Sequence, residues 1–411
     1  MSKIFVYKNT ILTILSKSAI LLLNFLIVIY ITRFWGAEGK GYQAIFMANL
    51  SLIAIFMNIF TNSSIAFFVG KVGPSKLYAQ ACLWTFISSS LGVLLCYFFD
   101  NNSLLLFLFV ASILTGYLTF HQALYIGLQK IKYFNLLTIL QPSLLLFFMV
   151  LLYQTKVEES YFAYFYAYIF SLAGVIIIAY LFTRKIVGDI KLKFDFQVSK
   201  QTFKYGFQNE LSNFFHFFVT RLSFYFIIYY LNEVSLGIFS VGIAISESIL
   251  IISKSISMVQ YSKIVGEGNT VNAKKGVVTA SFFSIILSFV CLSIILLLPK
   301  SVYGYIFTNE FLNIKQIILL MSPGILANAF SSVYGHFFAA IGKLKILVIK
   351  SVVGASLTFI LSIFLIPLWQ MKGACITNSI THIVGSLIIM VSFLSPYAKL
   401  RKTCVQNRNQ H

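Results

Sequence analysis

The chain has 411 residues, of which 59% are hydrophobic and only 10% charged, and its formal net charge is +20. An ordinary soluble domain is about 25% charged, so too few polar residues remain to cover a water-facing surface, and a soluble globular protein is excluded. A soluble chain this basic would suggest nucleic acid, but here Lys and Arg sit mostly between hydrophobic blocks, where they set topology; no nucleic-acid partner is expected.

The apolar blocks are long enough to cross about 30 Å of hydrocarbon as helices, and a helix satisfies its own backbone in lipid whereas an open strand does not. The expected fold class is all-α: a polytopic membrane protein of about twelve transmembrane helices. The first block, Ile11 to Ile31, exceeds a signal-peptide core and lacks a small-residue cleavage site, so it reads as a retained first span. The first six spans are predicted at about 11–33, 43–69, 79–99, 104–127, 133–153 and 161–183. The second six follow at about 206–231, 237–261, 277–298, 316–341, 346–368 and 374–395. The longest polar stretch, Arg184 to Lys204, divides them. This gives a bundle over 1–184, a basic linker over 185–204, a second bundle over 205–398 and a tail over 399–411, with the equal halves suggesting an internal repeat.

Cations set the orientation. An even number of spans puts both termini on one side, and 22 of the 31 Lys and Arg residues fall there, among them Lys71, Lys76, Lys130, Lys193, Lys274, Lys343, Lys345 and Lys350. The opposite loops hold six: Arg33, Lys40, Lys156, Lys300, Lys315 and Lys372. The positive-inside rule then assigns both termini and the linker to the cytoplasm. The five cysteines, Cys82, Cys96, Cys291, Cys375 and Cys404, have no spacing of a disulfide framework or a metal site.

Ionisable groups inside the hydrocarbon cost at least about 2.5–3.5 kcal/mol each on insertion scales and persist where they face a bundle interior or a wet cavity. Arg221 lies near the middle of the seventh span, too deep for easy snorkelling. It reads either as an anion contact in a cavity or as half of a packing ion pair with Glu247 or Glu210. Lys17 and Lys254 are further candidates for substrate contact, with snorkelling to the headgroups as the alternative, and Arg33 stands at the outer end of the first span. Glu210 and Glu247 are candidate ion-coupling sites or neutralise the nearby cations. Asn24, Asn49, Asn58 and Asn62 are mid-span amides of the kind that join helices, and Asn24 and Asn58 are also placed among the substrate contacts. His121, His216, His336 and His382 read first as helix–helix hydrogen-bonding groups. Pro142, Pro323 and Pro367 interrupt helical segments and free carbonyls. The chain has no nucleotide loop, no metal-ligand cluster and no sizeable outer loop with paired acids, so neither an enzyme nor a cofactor is expected.

Three motifs resemble a known family. Arg33-Phe34-Trp35-Gly36-Ala37-Glu38-Gly39-Lys40-Gly41-Tyr42 is similar to the R-x-x-G-x-x-G-x-G-Y signature of the polysaccharide-transport branch of the multidrug/oligosaccharidyl-lipid/polysaccharide (MOP) exporter superfamily. Lys204-Tyr205-Gly206, Arg221 and Val234 to Val241 resemble its second-half pattern, with Ser223 where an acid is common and Phe239 where Tyr is common. Tyr125 to Lys130 is similar to the glycine-plus-basic ending of its fourth span. The length and span number look like the O-antigen repeat-unit flippases (Wzx-type). That resemblance implies two pseudo-symmetric six-helix bundles around a central cavity, alternating access, and movement of undecaprenyl-diphosphate-linked oligosaccharide from the cytoplasmic to the periplasmic leaflet of the bacterial inner membrane. It also implies polymerase and chain-length proteins of the same pathway as partners. A cation-coupled drug antiporter of the same superfamily, or an O-antigen polymerase-type membrane enzyme, is the alternative.

Overall fold

The computed structural model describes residues 3–99, 104–190, 192–267 and 270–395, with side chains described from Ser16 onward and not at 262–263, 265–267 or 270–273. The tail over 399–411, with Cys404, and Lys191 lie outside the described residues. Every regular element among the described residues is helical: α1 (Lys3–Thr61), α2 (Ser63–Val72), α3 (Pro74–Phe99), α4 (Leu105–Gly127), α5 (Ile131–Gln154) and α6 (Phe162–Val187). There follow α7 (Phe196–Tyr230), α8 (Glu233–Glu267), α9 (Thr270–Leu297), the short α10 (Lys300–Ile306), α11 (Ile314–Ala340) and α12 (Leu344–Leu394).

Among the described residues, ten helices are long and apolar enough to cross a membrane. Two are double length. The 59 residues of α1 would run about 88 Å if straight. They are broken at Gly36, whose φ of 65° and ψ of −162° leave the helical region; lacking a Cβ, glycine enters φ > 0 without steric cost. The 51 residues of α12 break at Gln370 in the same way (φ 50°, ψ −130°). There the chain folds back on itself: the Thr358 and Thr381 hydroxyls meet at 3.2 Å across the break, as only an antiparallel hairpin permits. Counting α1 and α12 twice gives twelve crossings. The expected loops at 34–42 and 369–373 are thus single-residue reversals within continuous helix, which explains why the apolar signal dips there so briefly.

The chain divides into two compact units, Met1–Phe214 and Phe215–His411. The core of the first is built by α1, α4, α5 and α6, with Phe46, Met57, Phe120, Tyr125, Leu145 and Phe165 almost fully enclosed. The first half of α7, which the span pattern placed mostly in the second bundle, packs on this unit. Ser199 donates to Gln80 Oε1 (2.6 Å), and Gln80 donates in turn to Thr202 (3.2 Å). Tyr205 stacks on Phe67 with ring centroids 4.5 Å apart. Gly206 passes so close to α1 that a Cβ there would lie 1.9 Å from the Ile59 carbonyl oxygen. The start of α7 is fixed by Asp195, which accepts from the backbone N–H of Gln197 and Val198 and from Lys76 Nζ at 2.8 Å. The Lys76 ammonium, with those two N–H groups, holds the Asp195 carboxyl below the usual carboxylate range.

In the second unit, α11 packs against α8, α9 and α12. A seam of small hydroxyls joins α8, α9 and α11: Ser253 to Ser288 at 3.0 Å, Ser257 to Ser332 at 3.3 Å, Ser281 to Tyr334 at 3.3 Å. Small polar residues let helices approach closely and bond across lipid-free faces. An apolar cluster of Val333, Phe337, Phe338, Ile389 and Phe393 closes one end of the unit.

Candidate functional site

The sequence motif around Gly36 is occupied with packing. The Trp35 indole N–H donates to the Glu159 carbonyl at 3.0 Å, and Tyr42 stacks on Tyr161 (4.6 Å between centroids, 13° between planes). These contacts clamp the α1 break against the connection between α5 and α6. Lys40, expected in an outer loop, is instead a buried helical residue whose ammonium donates to Gln43 Oε1. Gln43 in turn donates to the Tyr164 hydroxyl (3.3 Å). A helical reversal at one residue leaves no loop for Lys40 to occupy.

The densest charged cluster of the second unit draws on four helices. Arg221 of α7 holds Glu247 of α8 through an Nη2–Oε1 contact of 2.9 Å. The side chains are 26% and 46% exposed, so the pair is half-buried. The guanidinium also lies 5.1 Å from the centre of the Phe224 ring, a cation–π contact. Of the two partners weighed for Arg221, Glu247 is the one it meets; Glu210 is buried eleven residues earlier on α7, where Asn213 donates to its Oε2 at 2.9 Å. Lys254 follows Glu247 by two turns of α8 and is exposed.

Lys350 completes the cluster. The orientation count places it with the inner-side loop cations, although it falls inside the predicted span at 346–368. In the structure it lies inside α12 and donates to the Ser331 hydroxyl of α11 at 2.8 Å. Its aliphatic stem runs beside Gly385, on the other limb of the α12 hairpin. His216 sits within electrostatic range of Lys350, Lys254, Arg221 and Glu247, and His382 within range of Lys350 and His216. The available signal was position: Lys350 is two turns past Lys343, already within an apolar block. Three cations and one carboxylate thus lie around His216, and among the described residues only Arg221 pairs with that carboxylate. Arg offers a planar fork for a phosphate and Lys a point charge.

The remaining sequence candidates lie in the first unit. Lys17, Asn24 and Arg33 occupy exposed positions on α1. Asn58 is half-buried near the end of α1, its side-chain oxygen 3.4 Å from the Thr61 hydroxyl. His121 meets the Thr183 hydroxyl at 2.9 Å in a buried contact between α4 and α6, the helix-joining role. His336 likewise meets the Ser332 carbonyl of its own helix at 2.9 Å.

Solved structures share this architecture. The lipid II flippase MurJ in an inward closed conformation superposes with a TM-score of 0.75 at 16% identity, over 94% of this chain and 88% of that one. The fold is that of the MOP-superfamily transporters. An inward-facing multidrug resistance MATE family transporter of that superfamily gives 0.70 at 14% identity, over 90% and 92% of the two chains. A MOP-superfamily transporter from Pyrococcus furiosus, described by the reverse polarity of its binding pocket, gives 0.58 at 13% identity over 94% of each. No family model matches the chain. A protein of Haemophilus influenzae described as an uncharacterized membrane protein is 26% identical over 248 residues. The match covers 58% of this chain and spans 60% of the length of that relative.

Proposed function

We propose that this protein is a flippase that carries an undecaprenyl-diphosphate-linked oligosaccharide, of the O-antigen or a related surface-polysaccharide repeat-unit type, across the bacterial inner membrane by alternating access. The observation that carries this reading is the excess of positive charge among the groups around His216: Arg221, Lys254 and Lys350 with Glu247. A diphosphate must leave water to cross, and charge-assisted hydrogen bonds from buried cations offset that desolvation. Drug cations would instead need carboxylates to dominate, so the balance of charge disfavours the antiporter alternative. The transporter fold of the solved neighbours disfavours the polymerase alternative. The motif resemblance supplies the lipid-linked sugar.

On this reading both termini are cytoplasmic, no cofactor takes part, and the polymerase and chain-length proteins of the pathway receive the flipped product. Arg221 and Lys254 are the proposed substrate contacts of the second unit and Lys17, Arg33, Asn24 and Asn58 those of the first, while Glu247 and Glu210 are the ion-coupling candidates. Arg221→Ala is expected to abolish surface polysaccharide while the protein still inserts. Arg221→Lys retains part of the activity, because charge survives and the bidentate fork does not. Surface polysaccharide is read by gel, and insertion by membrane fractionation. Deletion of the gene should leave undecaprenyl-linked single repeat units on the inner leaflet. Normal polysaccharide from the Ala variant removes Arg221 from the path, and accumulation on the outer leaflet would point to a polymerase.

A further inference from the structure

A second site lies in the same unit at the opposite kind of location, at the helix ends rather than among the crossing segments. Between α11 and α12 the chain turns at Gly342 (φ 73°). This turn and the last residues of α12 enclose a cavity of about 540 Å³, within the usual range of small-molecule sites. Its lining is amphiphilic. Lys343 and Lys345 supply two ammonium groups, Ser392 and Ser395 supply hydroxyls, and Leu344 and Val391 supply an apolar wall. The two apolar side chains are 56% and 67% exposed, so the wall opens outward.

A third cation lies near the end of α12. The ammonium of Lys274, on α9, lies 5.3 Å from the centre of the Phe393 ring, next to Ser392. No Asp or Glu lines the cavity. A ligand that suits the site carries negative charge at one end and hydrocarbon at the other. The position agrees: α11 ends at Ala340 and α12 begins at Leu344, and helix ends of this kind sit at headgroup depth. Basic pockets between transmembrane helix ends recognise anionic lipid headgroups by charge.

We propose that this cavity binds the headgroup of an anionic phospholipid of the surrounding bilayer, with Lys343 and Lys345 on the phosphate and the acyl chains running along Leu344 and Val391. The site is independent of the transport reading, since none of its lining residues belongs to the Arg221 cluster.

The test uses the full-length protein in detergent, titrated with phosphatidylglycerol or phosphatidylcholine and read by native mass spectrometry. The unmodified chain is expected to retain phosphatidylglycerol in preference to phosphatidylcholine. Lys343→Gln and Lys345→Gln are each expected to weaken that retention about fivefold, since a cation near a lipid surface contributes about a factor of that size. Lys300→Gln, outside the lining, is the matched control and leaves retention unchanged. Leu344→Ser keeps the charge and weakens phosphatidylglycerol retention by removing apolar wall. Three results overturn the proposal: equal retention of the two lipids by the unmodified chain, full retention by both lysine variants, or displacement of the lipid by millimolar inorganic phosphate, which would mark a site for the free ion. Melting temperature of each variant separates loss of the site from loss of the fold.

Discussion

At the scale of single residues, charge placement in this protein follows two different rules. Outside the spans, two ion pairs stand at helix ends among the described residues, Lys76 with Asp195 and Arg184 with Asp189. Asp195 is the clearest case, since it caps α7, accepts from two backbone N–H groups and holds Lys76 at 2.8 Å. Its carboxyl is held below the ordinary range, first by the Lys76 bond. An aspartate in an unfolded chain titrates near about 3.9. A depressed folded-state value means that the stabilisation is fully present above that pH and is lost as pH falls through the folded value below it. Asp195→Asn is therefore expected to melt earlier than the unmodified chain at neutral pH, by a small margin. The gap between the two melting temperatures should close as pH falls below about 4. A gap that stays constant over pH 3–7 would mean that the carboxylate contributes only shape. Inside the spans the rule is different: Arg221 finds a carboxylate, while Lys350 is met by the Ser331 hydroxyl. Sequence reading found Arg221, Glu247 and Lys254 because a charge in an apolar run stands out. Lys350 falls inside the predicted span at 346–368 as well, but it lies one turn from that span's start and beside Lys343 and Lys345, where a lysine that snorkels and a lysine that turns inward look alike in sequence.

At the scale of elements, span positions were legible and their joints were not. Runs of twenty apolar residues locate a crossing whatever its neighbours do. The reversals in α1 and α12 depend on one dihedral pair each, and nothing in the composition of Trp369-Gln370-Met371 announces that Gln370 takes φ 50°. Such a conformation costs a non-glycine residue on the order of 1–2 kcal/mol, which the paired limbs of the hairpin offset through contacts such as Thr358 with Thr381. The extent of α7 was equally hidden. Its 35 residues reach about 52 Å, well past the hydrocarbon, because its first half is a polar and aromatic strut on the first unit rather than part of a span. Gly206 is the point of closest approach. A side chain there meets the Ile59 carbonyl, a backbone atom that cannot swing aside. Gly206→Val is expected to lower stability by about 1–3 kcal/mol, the range for overpacking a tight contact, seen as a lower melting temperature in detergent. Gly70→Val, at a helical glycine with nothing within 4 Å of its added carbon, is the control and should be nearly silent. Equal effects at the two positions would show that the cost comes from helix propensity and not from the contact.

At the scale of the whole molecule, the number of crossings decides what every loop can meet. Cation placement and the structure arrive at twelve by separate routes, one from which loops hold Lys and Arg, the other from ten apolar helices of which two are double length. The two routes share a weak point at α12, where the hairpin adds the last crossing. Between Lys193, before α7, and Lys372, just after the Gln370 reversal, the chain crosses five times: by α7, α8, α9, α11 and the first limb of α12. Five is odd, so the two positions must face opposite sides of the membrane. Both side chains are exposed, and a cysteine at either is open to a membrane-impermeant maleimide that has access to its side. In a background with the natural cysteines replaced, Lys193→Cys is expected to resist labelling in intact cells and to react only after lysis. Lys372→Cys is expected to label from outside. Reversal of both results would invert the orientation that the positive-inside rule assigns and place the basic end of the second unit, with Lys274, Lys343 and Lys345, in the outer leaflet. Labelling of both positions from the same side would mean that one of the five helices does not cross. The first limb of α12 is then the helix to probe next, because its crossing rests on a turn made by one residue.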